Sequence, residues 1–188
     1  MKAIFHILLL AGLVNSSLIA EQIKIEWQAF KIARSKLPRS IGMIDPERDE
    51  YAGNLAGAAV VHLRKHKADH QSCDLARRML ALALHLSPRN KKALVANAQL
   101  GRGIVPEPPE TDYRPQTLAR LLMTRAQQLE KQQEGTKEQG RGNVELAGYL
   151  LSLAIDLDPK NEDAIYLSEL HRINHGEVNW TQLLLDKQ

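Results

Sequence analysis

From residue 21 onward, apolar positions recur every three to four residues and polar residues fill the gaps. That spacing lays the apolar side chains along one face of a helix. Ile23, Trp27, Phe30 and Ile32 or Ala33 give one such stripe over residues 21–37, closed by Pro38. Asp45 as N-cap, followed by Pro46 and Glu47, is a helix start, because proline suits the first helical position and acidic side chains suit the first turn. Tyr51, Leu55, Ala58, Ala59 and Leu63 carry that helix to about residue 67 or beyond. A third helix opens near Cys73, with Leu75, Met79, Leu80, Leu82, Ala83 and Leu86 inward. Ser87-Pro88 ends it, since proline cannot continue a helix and restricts the residue before it. A fourth runs through Ala93, Leu94, Asn97, Ala98 and Leu100 to Gly101 and Gly103.

The prolines that follow mark an extended connector over residues 104–114. Pro115 opens a helix through Leu118, Leu121, Leu122, Ala126 and Leu129. The polar, glycine-containing run EGTKEQGRG reads as an exposed loop, and Asn143 as the cap of the next helix, with Leu146, Leu150, Leu151, Leu153, Ala154 and Leu157 inward. Asp158-Pro159 turns the chain into a last helix that reaches about residue 174, with Gly176 as its stop. Val178, Trp180, Leu183 and Leu184 form a short apolar segment expected to dock on that last helix. The pattern predicts an all-α fold. Low aromatic content (4%) and reliance on Ala and Leu point the same way, because strands favour β-branched and aromatic residues.

Residues 75–93, LARRMLALALHLSPRNKKA, return 71 residues later as LAGYLLSLAIDLDPKNEDA. Nine positions coincide: Leu75/Leu146, Ala76/Ala147, Leu80/Leu151, Leu82/Leu153, Ala83/Ala154, Leu86/Leu157, Pro88/Pro159, Asn90/Asn161 and Ala93/Ala164. A fixed-offset repeat indicates one helical unit stacked on a copy of itself. The expected organisation is one helical-repeat domain over residues 21–188. Its halves are residues 45–103 and 115–175, joined by the proline-rich connector 104–114.

The repeated stretch resembles the tetratricopeptide repeat, a pair of antiparallel helices. In that family the second helix carries an Ala, a large apolar residue four further on, a second Ala three later and a Pro five after that. Ala76, Leu80, Ala83 and Pro88 match, as do Ala147, Leu151, Ala154 and Pro159. The resemblance covers residues 73–102 and 144–173. The first helix of each unit departs from the family pattern, with Ala56-Gly57 standing in for its Leu-Gly pair only if extra residues precede Cys73. The resemblance implies antiparallel helix–turn–helix repeats forming a curved scaffold that binds a peptide or another protein.

Residues 1–20, MKAIFHILLLAGLVNSSLIA, have the layout of a signal peptide: Lys2, an apolar run to Val14, a polar stretch and Ala20 before Glu21. The competing reading is an N-terminal anchor, and a membrane is a partner only in that case. The run is short for a span and carries His6 and Asn15. Cleavage makes the protein periplasmic or secreted. A single cysteine, Cys73, allows no intrachain disulfide and reads as a small apolar residue. The net charge of +3 is spread among alternating Lys, Arg, Asp and Glu, which argues against nucleic acid as a partner.

His62, His66 and His70 fall in register; on one continuous helix they would lie a turn apart, near Cys73 and Asp74, as zinc or copper ligands. His171 and His175 repeat the spacing. The ordinary reading of both is a polar helix end. No HExxH, GxSxG, phosphate loop or paired-cysteine pattern is present. Asp156/Asp158 and Glu162/Asp163 read as complements to the dipole of the following helix. The sequence thus predicts no catalytic residue, no cofactor and no assigned metal ligand. It predicts an exported protein–protein interaction or scaffolding module that is not an enzyme. The alternative is a small metal-binding protein using His62, His66 and His70.

Overall fold

The computed structural model describes residues 25–32, 35–108, 114–132 and 136–184. The signal segment 1–20, the start of the 21–37 stripe with Ala33, and residues 109–113 of the connector lie outside them. Among the described residues there are seven helices and no strand. They are α1 (Asp45–Lys65), α2 (His70–Leu86), α3 (Lys91–Leu100), α4 (Pro115–Lys131), α5 (Lys137–Leu157), α6 (Glu162–His175) and α7 (Thr181–Leu184).

α1 folds back along α2, and α4 along α5. The third helix of each half closes its pair: α3 lies mainly on α1, and α6 mainly on α5. The halves meet where α2 touches α5. Leucines and alanines form the core, with Leu55, Leu63, Leu80, Leu82, Leu122, Leu129, Leu146 and Leu150 fully buried. Ala83 and Ala154 are 0% exposed, and a methyl at such positions lets helices approach closely.

The repeat now has a physical basis. Seven of the nine coincident positions are buried in both copies: the five leucine and alanine pairs from Leu75/Leu146 to Ala83/Ala154, then Leu86/Leu157 and Ala93/Ala164. The other two build the turn. Pro88 and Pro159 follow the ends of α2 and α5, and Asn90 and Asn161 cap the next helix. The side-chain oxygen of Asn90 accepts from the Ala93 N–H at 3.0 Å, and that of Asn161 from the Ala164 N–H at 3.1 Å.

Several boundaries differ from the sequence reading. Residues 25–32 are not helical. Ile25 and Trp27 are buried and Glu26 and Gln28 exposed, the alternation of an extended strap rather than a helix. The strap crosses the end of α3 at Gly101, where an added Cβ would lie 2.7 Å from the Ala29 Cβ. The N-cap of α1 is Ile44, with Asp45 in the first turn. α5 starts at Lys137 rather than after Asn143, because the Thr136 hydroxyl caps it by accepting from the Gln139 N–H at 3.2 Å. Asn143 is therefore inside α5 and buried. Its Oδ1 accepts from the Gly42 N–H at 2.7 Å and its Nδ2 donates to the Gln132 carbonyl at 3.0 Å, which seats the loop before α1 against the second half. Of the inward positions expected on α4, Leu121 is exposed.

The C-terminal segment docks, but not on α6. α6 ends at Gly176 (φ 87°), and the chain turns back so that α7 packs on α2 in the first half. Leu183 is buried there, and its carbonyl lies 3.2 Å from His85 Nε2. Both terminal segments are thus gripped by α2, through adjacent residues. The Arg77 guanidinium sits 5.2 Å from the Trp27 ring centre and that of Arg78 sits 5.6 Å from the Trp180 ring centre. The second copy has Gly148 and Tyr149 at these positions.

Candidate functional site

The histidine track does not hold together. α1 stops at Lys65, and Lys67 and Ala68 both adopt φ near 52°, which turns the chain before His70 begins α2. His62 and His66 remain neighbours, with ring centres 4.5 Å apart. His70 is separated from them and is paired instead with Asp74, at 3.2 Å. Burial holds the His62 pKa below its ordinary value, and the charge of His66 adds to that effect. Cys73 is half-buried with its thiol on the Ala68 carbonyl at 3.3 Å. Burial first, then Asp69 and Asp74, push its pKa up, so the thiol is held in its unreactive form.

A cleft of about 370 Å³ lies between the halves, lined by His62, His66, Asp69, Asp74, Arg78 and Asp156. Its floor is an ion pair between α2 and α5, Arg78 Nη1 to Asp156 Oδ2 at 2.8 Å. Asp156, read from sequence as a complement to the next helix, is instead this cross-half partner. Burial raises its pKa, opposed by the neighbouring guanidinium. Glu162 and Asp163 do stand in the first turn of α6, as the dipole argument requires.

Both tryptophans rest on the protein. Trp27 is buried against Phe30 at a ring separation of 6.1 Å, and Trp180 lies 4.8 Å from the Tyr149 ring, its indole N–H donating to the Ser152 hydroxyl at 3.2 Å. They seal the two terminal segments onto the helices.

An exposed apolar stripe lies elsewhere, on α6. Tyr166 is 66% exposed, Leu170 40% and Ile173 72%. They are spaced i, i+4, i+7 and so form one stripe, while Ala164 and His171 bury the opposite side of the same helix. Residues 71 positions earlier, on and just after α3, are Val95, Gln99 and Arg102. Tyr166 thus has an exposed apolar counterpart in Val95, whereas Leu170 and Ile173 have none, and the full stripe belongs to the last helix alone. The sequence alone does not mark it, because α6 carries apolar residues on two faces and no single stripe stands out.

His171 and His175 do share a face of α6, with ring centres 5.0 Å apart. A third group joins them that spacing alone does not reveal: Glu130, near the end of α4, places Oε1 2.6 Å from His171 Nδ1. No helix among the described residues is long and apolar enough to cross a membrane. No family profile matches the chain, and neither the curated proteins nor the solved structures contain a match to it.

Proposed function

We propose that the chain is an exported, tetratricopeptide-like helical-repeat module that docks another protein on the outer face of α6 and performs no chemistry of its own. The observation that carries this reading is the stripe of Tyr166, Leu170 and Ile173. Apolar side chains at this spacing form a ridge that fits between the ridges of an apposed helix, and removing them from water is the driving force for such docking. Tyrosine adds rigid area with a polar tip, a combination favoured at interface centres. Glu162, Glu169 and Arg172 border the stripe and supply a charged rim. Ala164 and His171 of α6 stay buried and Asn161 caps its start, so the partner meets a helix already fixed in place. Delivery to the periplasm or outside the cell rests on the signal layout of residues 1–20.

The test is a triple substitution, Tyr166→Ala, Leu170→Ala and Ile173→Ala, compared with the native chain in affinity capture from the envelope fraction. Loss of a specific co-purifying protein, with helicity and melting temperature kept, supports the reading. Recovery of the same proteins by both chains contradicts it. Export is tested separately by the intact mass of the native mature protein, which should lack the leading segment. Full-length soluble protein recovered from the cytoplasm would reject it.

A further inference from the structure

Among the described residues, one trio of His, Cys, Asp and Glu side chains brings its donor atoms within 4.8 Å of one another: Glu130, His171 and His175. They come from two helices that pack on each other, α4 and the last turns of α6. We propose that these three residues bind a divalent transition-metal ion, with zinc as the probe, through one carboxylate oxygen and two imidazole nitrogens. The proposal stands apart from the docking reading, because the trio faces α4 and not the exposed stripe.

The donor set selects the class of ion. Two imidazoles and one carboxylate suit zinc and its neighbours, whereas magnesium and calcium require shells built almost wholly of oxygen. His171 is fixed in the orientation that ligation needs. Its side chain is 7% exposed, and the ring is seated over Gly148 of α5, where an added Cβ would lie 2.6 Å from Nε2. Nε2 is therefore turned into the helix packing, and Nδ1 is the nitrogen presented to Glu130. The other two groups can adjust. Glu130 is 27% exposed and His175 is exposed, so an ion can enter from solvent.

The spacings bracket what an ion requires. Zinc bonds of about 2.0–2.1 Å set neighbouring donors roughly 3.4 Å apart in a tetrahedron. The pair Glu130–His171 is closer than this at 2.6 Å, joined by a hydrogen bond whose proton an ion would replace, and all donors of the trio lie within 4.8 Å of one another. An ion replacing that proton moves Glu130 outward and draws His175 inward. Cationic competition is low, because the guanidinium of Arg172 is occupied by Glu169 at 2.8 Å. Three protein donors leave a further position for water, as in open zinc sites. Occupancy ties the end of α6 to α4 and adds binding free energy to the folded state.

The experiment uses the mature chain without a histidine tag. Bound zinc is measured by equilibrium dialysis at low micromolar free metal, alongside melting curves with zinc, magnesium or calcium. The proposal expects one zinc per chain and a melting temperature raised by zinc but not by magnesium or calcium. His175→Ala and Glu130→Gln, both at adjustable positions, should each weaken binding by at least about tenfold, the loss typical even of an outer-shell partner. Gly148→Ala should weaken it too, by displacing the His171 ring. A His62→Ala/His66→Ala double variant should bind as the native chain does. Absence of stoichiometric zinc, or stoichiometric binding unchanged by His175→Ala and Glu130→Gln, would overturn the proposal. So would loss of binding in the His62/His66 variant alone.

Discussion

Asn97 holds Phe30 by both ends of its side-chain amide. The Phe30 N–H donates to Asn97 Oδ1 at 3.0 Å, and Asn97 Nδ2 donates to the Phe30 carbonyl at 3.0 Å. This is the exchange a residue in a neighbouring strand would make, supplied here by a helix side chain. The extended strap needs it, since a buried backbone N–H or carbonyl without a partner costs about 1–3 kcal/mol. Asn97→Ala should therefore lower stability by about that much and expose residues 25–32 to protease first. Limited proteolysis checks this. An unchanged cleavage pattern would mean that the buried Ile25 and Trp27 and the Arg77 contact secure the strap without Asn97.

The two capping asparagines should differ in weight. Each cap alone is worth about 1 kcal/mol. Asn90 also donates to the Asp49 carbonyl at 2.9 Å and to its carboxylate at 3.0 Å, thereby tying the turn to α1. Asn90→Ala should cost more than Asn161→Ala, and chemical denaturation of both variants gives the comparison. Equal losses would show that the Asp49 contacts add nothing.

The cross-half pair should behave as a coupled unit. Arg78 and Asp156 have side chains 26% and 29% exposed, so their attraction is only partly screened. Removing either partner leaves a charge without its counter-ion and should cost about 1–3 kcal/mol, less than a fully buried pair loses. Arg78→Met with Asp156→Leu should cost less than the sum of the single changes. A double-mutant cycle with no interaction energy would contradict the pairing.

His62 gives the fold a dependence on mild acid. Its folded pKa lies below the unfolded value, so between the two the unfolded chain binds more protons and stability rises with pH. The stabilising effect is complete above about pH 6.5, the ordinary histidine value, and is lost as pH falls toward the folded pKa. Melting temperature should drop between neutral pH and pH 5, and the drop should be smaller in His62→Gln. An identical drop in both would assign the effect to other groups.

The helices were legible because leucine and alanine mark their inward faces and because Pro88, Pro159, Asn90 and Asn161 mark the turns between them. The strap was not. Ile23, Trp27 and Phe30 fit a helical period as well as Ile25 and Trp27 fit an alternating one. The decision came from Asn97, 67 residues away from Phe30, which offers an extended backbone its hydrogen bonds. The start of α5 is obscured by glycines that suggest a loop, although Gly142 sits inside the helix, where an added Cβ would lie 2.9 Å from Ile41 Cγ2. The track from His62 to His70 looked continuous because histidine spacing does not reveal a helix end. Conversely, Glu130 lies 41 residues before His171, and only tertiary packing brings them together. The fold class is legible because it depends on local pattern; the Glu130–His171 contact is not, because it depends on a distant partner.

The docking face is tested most directly by photo-crosslinking in the native host. A photoreactive amino acid is placed at position 166 or 173 on α6, with position 50, exposed on α1, as the control. The account predicts one discrete heavier adduct, the same partner from both α6 positions, absent from the control and abolished by Leu170→Glu. Adducts that are absent from both α6 positions, or equally abundant at position 50, would contradict it.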